Sequence, residues 1–243
     1  MQTVYTVAMV LGFKNALEKS YSLFISPFEE PPGKLPHLVL LLALVAIMLL
    51  GLRFFWVTRN LYEFVLTPSS DIRRRMRATT LVHFPITLVH ALLFFAVCQA
   101  YAEIVTRNAT VSSGLAVDLV ARFVFIFAGL LLLNGAWLLA TFKPAKGKPE
   151  SIWGYSNVLF AALAAADVWL VLDVIRAPLI ALAISACAVF IVNSLIDLWR
   201  AGEWYIQFPQ GTRPIICRWT GDPLAGDSAR PQVPSAPPPG TIS

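Results

Sequence analysis

Charge is scarce in this sequence: only 14% of its 243 residues are Asp, Glu, Lys or Arg. Globular domains carry about 25%, so a soluble chain of this length would lack the charge to keep its surface in water. Cysteine is equally sparse. Cys98, Cys187 and Cys217 make no CxxC pair and no even set, which argues against a disulfide framework or a zinc site. Three histidines, His37, His83 and His90, are too few for the histidine-rich metal centres of membrane oxidases and desaturases. The chain also has no GxSxG elbow, no HExxH helix and no phosphate-cradling glycine loop. Together these absences predict a non-enzymatic protein with no cofactor and no metal. Lys14, Glu18 and Lys19 interrupt the N-terminal apolar pattern, so no cleavable signal peptide is expected.

What the sequence does have is oil. Hydrophobic residues make up 57% of it, its mean hydropathy is +0.68, and the apolar residues fall into long runs. A helix needs about 20 mainly apolar residues to cross a hydrocarbon layer. Five stretches qualify: Leu35–Val57, Thr79–Ala102, Leu115–Thr141, Ile152–Ile175 and Ala177–Ile196. The expected fold is therefore all-α, a polytopic transmembrane helical bundle of about five spans.

The ends read differently. In residues 1–34, Val10, Phe13, Leu17, Tyr21 and Phe24 recur at helical spacing opposite Lys14, Glu18 and Lys19. This predicts an amphipathic helix that lies in the interface plane or packs on the bundle. The prolines of "SPFEEPPGKLP" end it. The bundle occupies 35–205. Residues 206–243 are proline-rich and poor in apolar residues, and read as a largely disordered cytoplasmic tail. "NAT" at Asn108–Thr110 matches a glycosylation acceptor.

Basic loop residues stay in the cytoplasm. The connection after the first span holds Arg53, Arg59, Arg73, Arg74, Arg75 and Arg77, the next such connection Lys143, Lys146 and Lys148, and the tail Arg200, Arg213, Arg218 and Arg230. Against these thirteen, the other side collects Lys14, Lys19, Lys34, Arg107 and Arg176. The bias puts the N-terminus outside and the C-terminus in the cytoplasm, in a plasma or inner membrane. Arg73, Arg74, Arg75 and Arg77 then serve as a topological anchor and as a patch for anionic headgroups or a cytoplasmic protein partner. With topology accounting for the basic excess, no nucleic-acid partner is expected.

Ionisable groups inside a span are costly and face other helices or water. The candidate polar pathway is His83, His90, Asn134, Asp167, Asn193 and Asp197. His83, Thr87 and His90 share one helical face beside Pro85, and Asp197 follows Asn193 by four. His90 and Asp167 are expected at a common central level, with Asn134, Asn193 and His83 on an inner level. Asp118 and Arg122, four residues apart, are expected to pair. "AALAAAD", together with Ala177, Ala181 and Ser185, supplies small residues for close helix approach. Two functions fit. One is an oligomeric channel or ion- or proton-conducting subunit using His90 and Asp167. The other is a scaffold or assembly subunit that docks a partner through the basic loop 53–77 and the tail. Either way the chain is expected to be a homo-oligomer or to join partner membrane subunits.

Overall fold

A computed structural model describes residues 2–25, 35–60, 70–108, 113–141, 149–200, 215–216 and 223–224. It is a bundle of six helices: α1 (Gln2–Ile25), α2 (His37–Asn60), α3 (Ser70–Arg107), α4 (Ser113–Thr141), α5 (Pro149–Trp169) and α6 (Leu179–Arg200). Within the tail, β1 (Ile215–Ile216) and β2 (Pro223–Leu224) form a two-residue antiparallel ladder. The rest of the expected disordered tail lies outside the described residues.

Five of the helices are long and apolar enough to cross a membrane: His37–Phe54, Pro85–Arg107, Gly114–Ala140, Trp153–Val174 and Leu179–Trp199. Their outward faces carry bare Leu52, Leu92, Leu132, Leu159, Leu163 and Leu195. So much exposed apolar surface would drive aggregation in water; in hydrocarbon it costs nothing. The chain is a multi-pass integral membrane protein.

Helices α2, α3, α4, α5 and α6 pack in sequence order, and α6 returns to α2 to close a ring. The core of that ring is aromatic at its centre. Phe127 of α4 stacks on Phe190 of α6 with centroids 3.7 Å apart, and Phe123 meets both edge-on. The tightest helix pair is α4 with α5, where Gly135 faces Gly154. A β-carbon on Gly135 would fall 2.7 Å from the Gly154 carbonyl oxygen and 3.0 Å from the Val158 nitrogen. Only a residue without a side chain allows that approach.

Helix α5 ends in a π-helical turn, Leu170–Val174. The chain then reverses through Arg176, which has left-handed backbone (φ 52°), while the Ala177 N–H bonds the Val171 carbonyl at 3.0 Å. Pro178 follows, and α6 begins. At the same end of the bundle the amide of Asn108 grips the backbone of Leu35 in both directions. Its Oδ1 accepts from the Leu35 N–H and its Nδ2 donates to the Leu35 carbonyl, each at 3.0 Å. That amide is committed to tying α3 to α2, so a glycan on it would cost both bonds.

Helix α1 packs on the bundle instead of lying flat. The Phe13 ring fills the slot that Gly51 leaves on α2 and meets Phe94 edge-on at 5.1 Å. Asn15 donates to Gln99 at 2.9 Å, and Ser20 meets the Tyr101 hydroxyl at 2.8 Å. Rising numbers on α1 meet rising numbers on α3, so the two run in the same direction and α1 is antiparallel to α2. Gln2 and Arg200 therefore lie at the same end of the bundle.

Gly135→Ala should lose about 1–3 kcal/mol through overpacking against the Gly154 backbone. Gly129→Ala, whose new β-carbon meets nothing within 4 Å, should be neutral or gain up to about 1 kcal/mol from helix propensity. Unfolding by denaturing-detergent titration reads both.

Candidate functional site

Apart from Ser20, which meets Tyr101, the buried polar residues gather near the end of the bundle where α2 and α6 finish and α5 begins. Arg53 lies in the last third of α2, and its side chain is 0% exposed. It was counted above among the cytoplasmic loop residues, and that is corrected here: it sits inside the bundle. The window of mean hydropathy hides it, because "LVLLLALVAIMLLGL" outweighs one arginine.

Arg53 is held from two other helices. Its Nη2 forms an ion pair with Asp197 Oδ2 on α6, whose side chain is 1% exposed. The same nitrogen donates to Asn157 Oδ1 of α5 at 2.8 Å, and Nη1 donates to Ser194 Oγ at 3.2 Å. The network extends one layer further. Asn193 Nδ2 donates to Asn157 Oδ1 at 3.3 Å, and Ser156 Oγ donates to Asn193 Oδ1 at 3.0 Å. Asn157, Asn193 and Ser194 are wholly buried. In a water-free interior a guanidinium needs a counter-charge and several acceptors. Helices α5 and α6 supply one carboxylate, one amide and one hydroxyl.

Of the residues expected in a polar pathway, Asn193 and Asp197 thus belong to one cluster, joined by Arg53, Asn157, Ser194 and Ser156. Sequence reasoning missed those four. The signal for Asn157 and Ser156 was "YSN" one turn into the fourth span, and the spacing of Asn193 to Asp197 marked the facing helix. Asn134, on α4, is buried, and its Nδ2 has no partner among the described residues.

His90 is apart from that cluster. Its Nδ1 lies 2.8 Å from the Ile86 carbonyl, an oxygen that can only accept, so the proton is on Nδ1. The ring sits edge-on to Phe54 (5.9 Å) and Trp137 (6.1 Å), and Nε2 is buried with no partner among the described residues. Since Phe54 follows Arg53 on α2, His90 lies toward the Arg53 end. Asp167 lies toward the opposite end, where Ser185 of α6 donates to its Oδ2 at 2.7 Å. The central His90–Asp167 level drawn from the sequence therefore separates into two sites. His90 is level with Phe54 near the Arg53 end, whereas Asp167 is level with Ser185 in the first turns of α6.

Across the end that carries Asp167, Glu103 pairs with Arg107 at 3.0 Å and with Arg122 at 3.8 Å. Arg122 thus turns to α3 and not to Asp118 on its own helix. The side chains of His83, Arg73, Arg74, Arg75 and Arg77 lie outside the described residues. Among the described residues no group of three or more His, Cys, Asp or Glu is placed to hold a metal ion.

Asp197→Ala strands the Arg53 charge in the interior and should cost about 3–5 kcal/mol. Replacing both partners, Arg53→Met with Asp197→Leu, should recover most of that loss, because an apolar pair needs no solvation. A double-mutant cycle by detergent unfolding measures the coupling. A coupling under about 1 kcal/mol, typical of an exposed pair, would mean that the pair does not hold the helices.

Comparison with protein-family models, with curated proteins and with solved structures gave no match, so the functional reading rests on these side chains and their surroundings.

Proposed function

We propose that the chain is a non-catalytic subunit of a membrane assembly, a scaffold whose rigid helical frame presents a basic cytoplasmic face to a partner. The supporting observation is that one cluster of interior polar side chains is cross-linked, although Asn157 Nδ2 and Asp197 Oδ1 within it have no hydrogen-bond partner among the described residues. Arg53, Asp197, Asn157, Ser194, Asn193 and Ser156 bind across three helices, an arrangement that fixes helix register. A conducting site would instead hold such groups open to water. The cavity between α2, α3, α4 and α6, lined by Tyr101, Phe123, Val124 and Cys187, is apolar and has room of about 20 Å³, roughly the size for one water.

The orientation follows the basic residues. With Arg53 inside the membrane and Lys14 and Lys19 on an upright α1, the end of the bundle that holds Arg53 faces twelve loop and tail cations. They are Arg59, Arg73, Arg74, Arg75, Arg77, Lys143, Lys146, Lys148, Arg200, Arg213, Arg218 and Arg230. Lys34, Arg107 and Arg176 remain on the other. The positive-inside rule then puts both Gln2 and Arg200 on the cytoplasmic side. There the arginines 73–77 attract anionic headgroups by about 1 kcal/mol each, and the tail extends toward a protein partner.

One observation favours a second reading, a proton- or ion-conducting subunit. Among the described residues His90 Nε2 is a buried acceptor with no partner, and on α4 the Nδ2 of Asn134, likewise without one, lies one turn from Trp137, which touches the His90 ring. Water bridging such groups is the usual way to satisfy them.

In proteoliposomes the purified protein should carry no proton or potassium flux above protein-free vesicles. Flux that His90→Phe or Asp167→Asn abolishes would replace the scaffold with the conducting subunit. Reporter fusions at the N-terminus and just beyond Pro144 should both read as cytoplasmic. An external signal at Pro144 would invert the bundle, and one at the N-terminus alone would take α1 out of the membrane.

A further inference from the structure

The open face of α1 is a second interaction surface. Its buried face is Met9, Gly12, Ala16, Ser20 and Leu23, turned toward α3. The opposite face carries Val7, Leu11, Lys14, Glu18, Tyr21 and Ile25, all exposed. Those six positions advance by four, three, four, three and four, the alternation of a heptad seam. Val10, Leu17 and Phe24, also exposed, repeat every seven along one flank. A helix already packed on its own bundle therefore displays a complete coiled-coil stripe outward.

At the centre of the stripe are Lys14 and Glu18, 3.6 Å apart, with side chains 66% and 62% exposed. Their height is set by their neighbours. Phe13 packs on Phe94 and Asn15 bonds Gln99, and both partners lie within the apolar stretch Pro85–Arg107. An opposed pair of charges thus faces outward at the depth of the hydrocarbon, where lipid offers no partner.

We propose that this stripe is the contact through which two copies of the chain pair in the membrane, α1 against α1, related by a twofold axis along the membrane normal. Copies in one membrane share a topology, so the two α1 helices run parallel. In a parallel seam the residue at Lys14 enters a hole bordered by position 18 of the facing helix. Each Lys14 then meets the Glu18 of the other copy, and the four charges cancel within a dry contact. Valine, leucine, tyrosine and isoleucine fill the layers above and below. The stripe is self-complementary in sign and spacing, which is what a twofold contact requires. This pairing stands whether or not the interior conducts.

The test uses full-length protein in native membranes, in a Cys217→Ser background where Cys98 and Cys187 are buried. Leu11→Cys and Tyr21→Cys should form disulfide-linked dimers under mild oxidant, and Leu159→Cys, exposed on α5, should not. Adding Lys14→Glu to Leu11→Cys gathers four carboxylates and should lower cross-linking at least tenfold. Combining Lys14→Glu with Glu18→Lys should restore it, which separates a lost contact from a lost fold. Absence of the Leu11→Cys dimer, equal cross-linking at Leu159, or indifference to Lys14→Glu would each overturn the proposal.

Discussion

The ion pair between Arg53 and Asp197 is the constraint to which the rest of the bundle conforms. A guanidinium in a membrane interior has no water to fall back on, so α6 must present its carboxylate and α5 its amide at one height and on facing sides. Once that height is set, the ring of helices has a fixed closure. The aromatic stack of Phe127 on Phe190 and the glycine contact of α4 with α5 fill the space it defines. Polar groups specify register here, while apolar packing and close backbone approach supply the cohesion that hydrophobicity cannot supply between helices in lipid.

The two ends of the molecule are organised by different chemistry. At the Arg53 end the polar side chains are buried, and most of them bond to one another. At the other end they are half-exposed: Glu103 is shared by Arg107 and Arg122, and the Asn108 amide holds Leu35. The π-helical turn and the left-handed Arg176 also lie there. A wide turn shifts every later side chain around the axis, so it sets which face of the final part of α5 meets α6.

The fold was legible because a span is a property of a window. Twenty apolar residues announce a crossing however they later pack, so the five spans could be read without any contact information. Depth could not. Counting residues along each span put His90 and Asp167 at one height, whereas their levels are set by what they touch: Phe54 and Trp137 around His90, and Ser185 beside Asp167. The polar cluster was legible in part. Asn193 and Asp197 advertise themselves by spacing on one helix, whereas Arg53 sits where a hydropathy profile ends and a positive loop begins. Nothing local separates an arginine that snorkels to the surface from one that turns inward; the distinction is made by Asp197, a whole chain of helices away. On α1 the sequence set Val10, Leu17, Tyr21 and Phe24 opposite Lys14 and Glu18, yet all of these are exposed together, because the face that α3 covers is Met9, Gly12, Ala16, Ser20 and Leu23.

The same distance along the chain bears on how the protein is made. Arg53 leaves the ribosome well before its partners; Ser194 follows 141 positions later, and Asp197 later still. During that interval the arginine has no carboxylate, and its long side chain must wait at the lipid boundary or against the insertion machinery. Helices α3, α4 and α5 therefore enter beside an unfinished neighbour, and the arginine can move inward only when the last helix arrives. A chain that stalls before α6 carries an unsatisfied cation at its membrane edge, a ready mark by which cellular quality control can tell the incomplete product from the finished one.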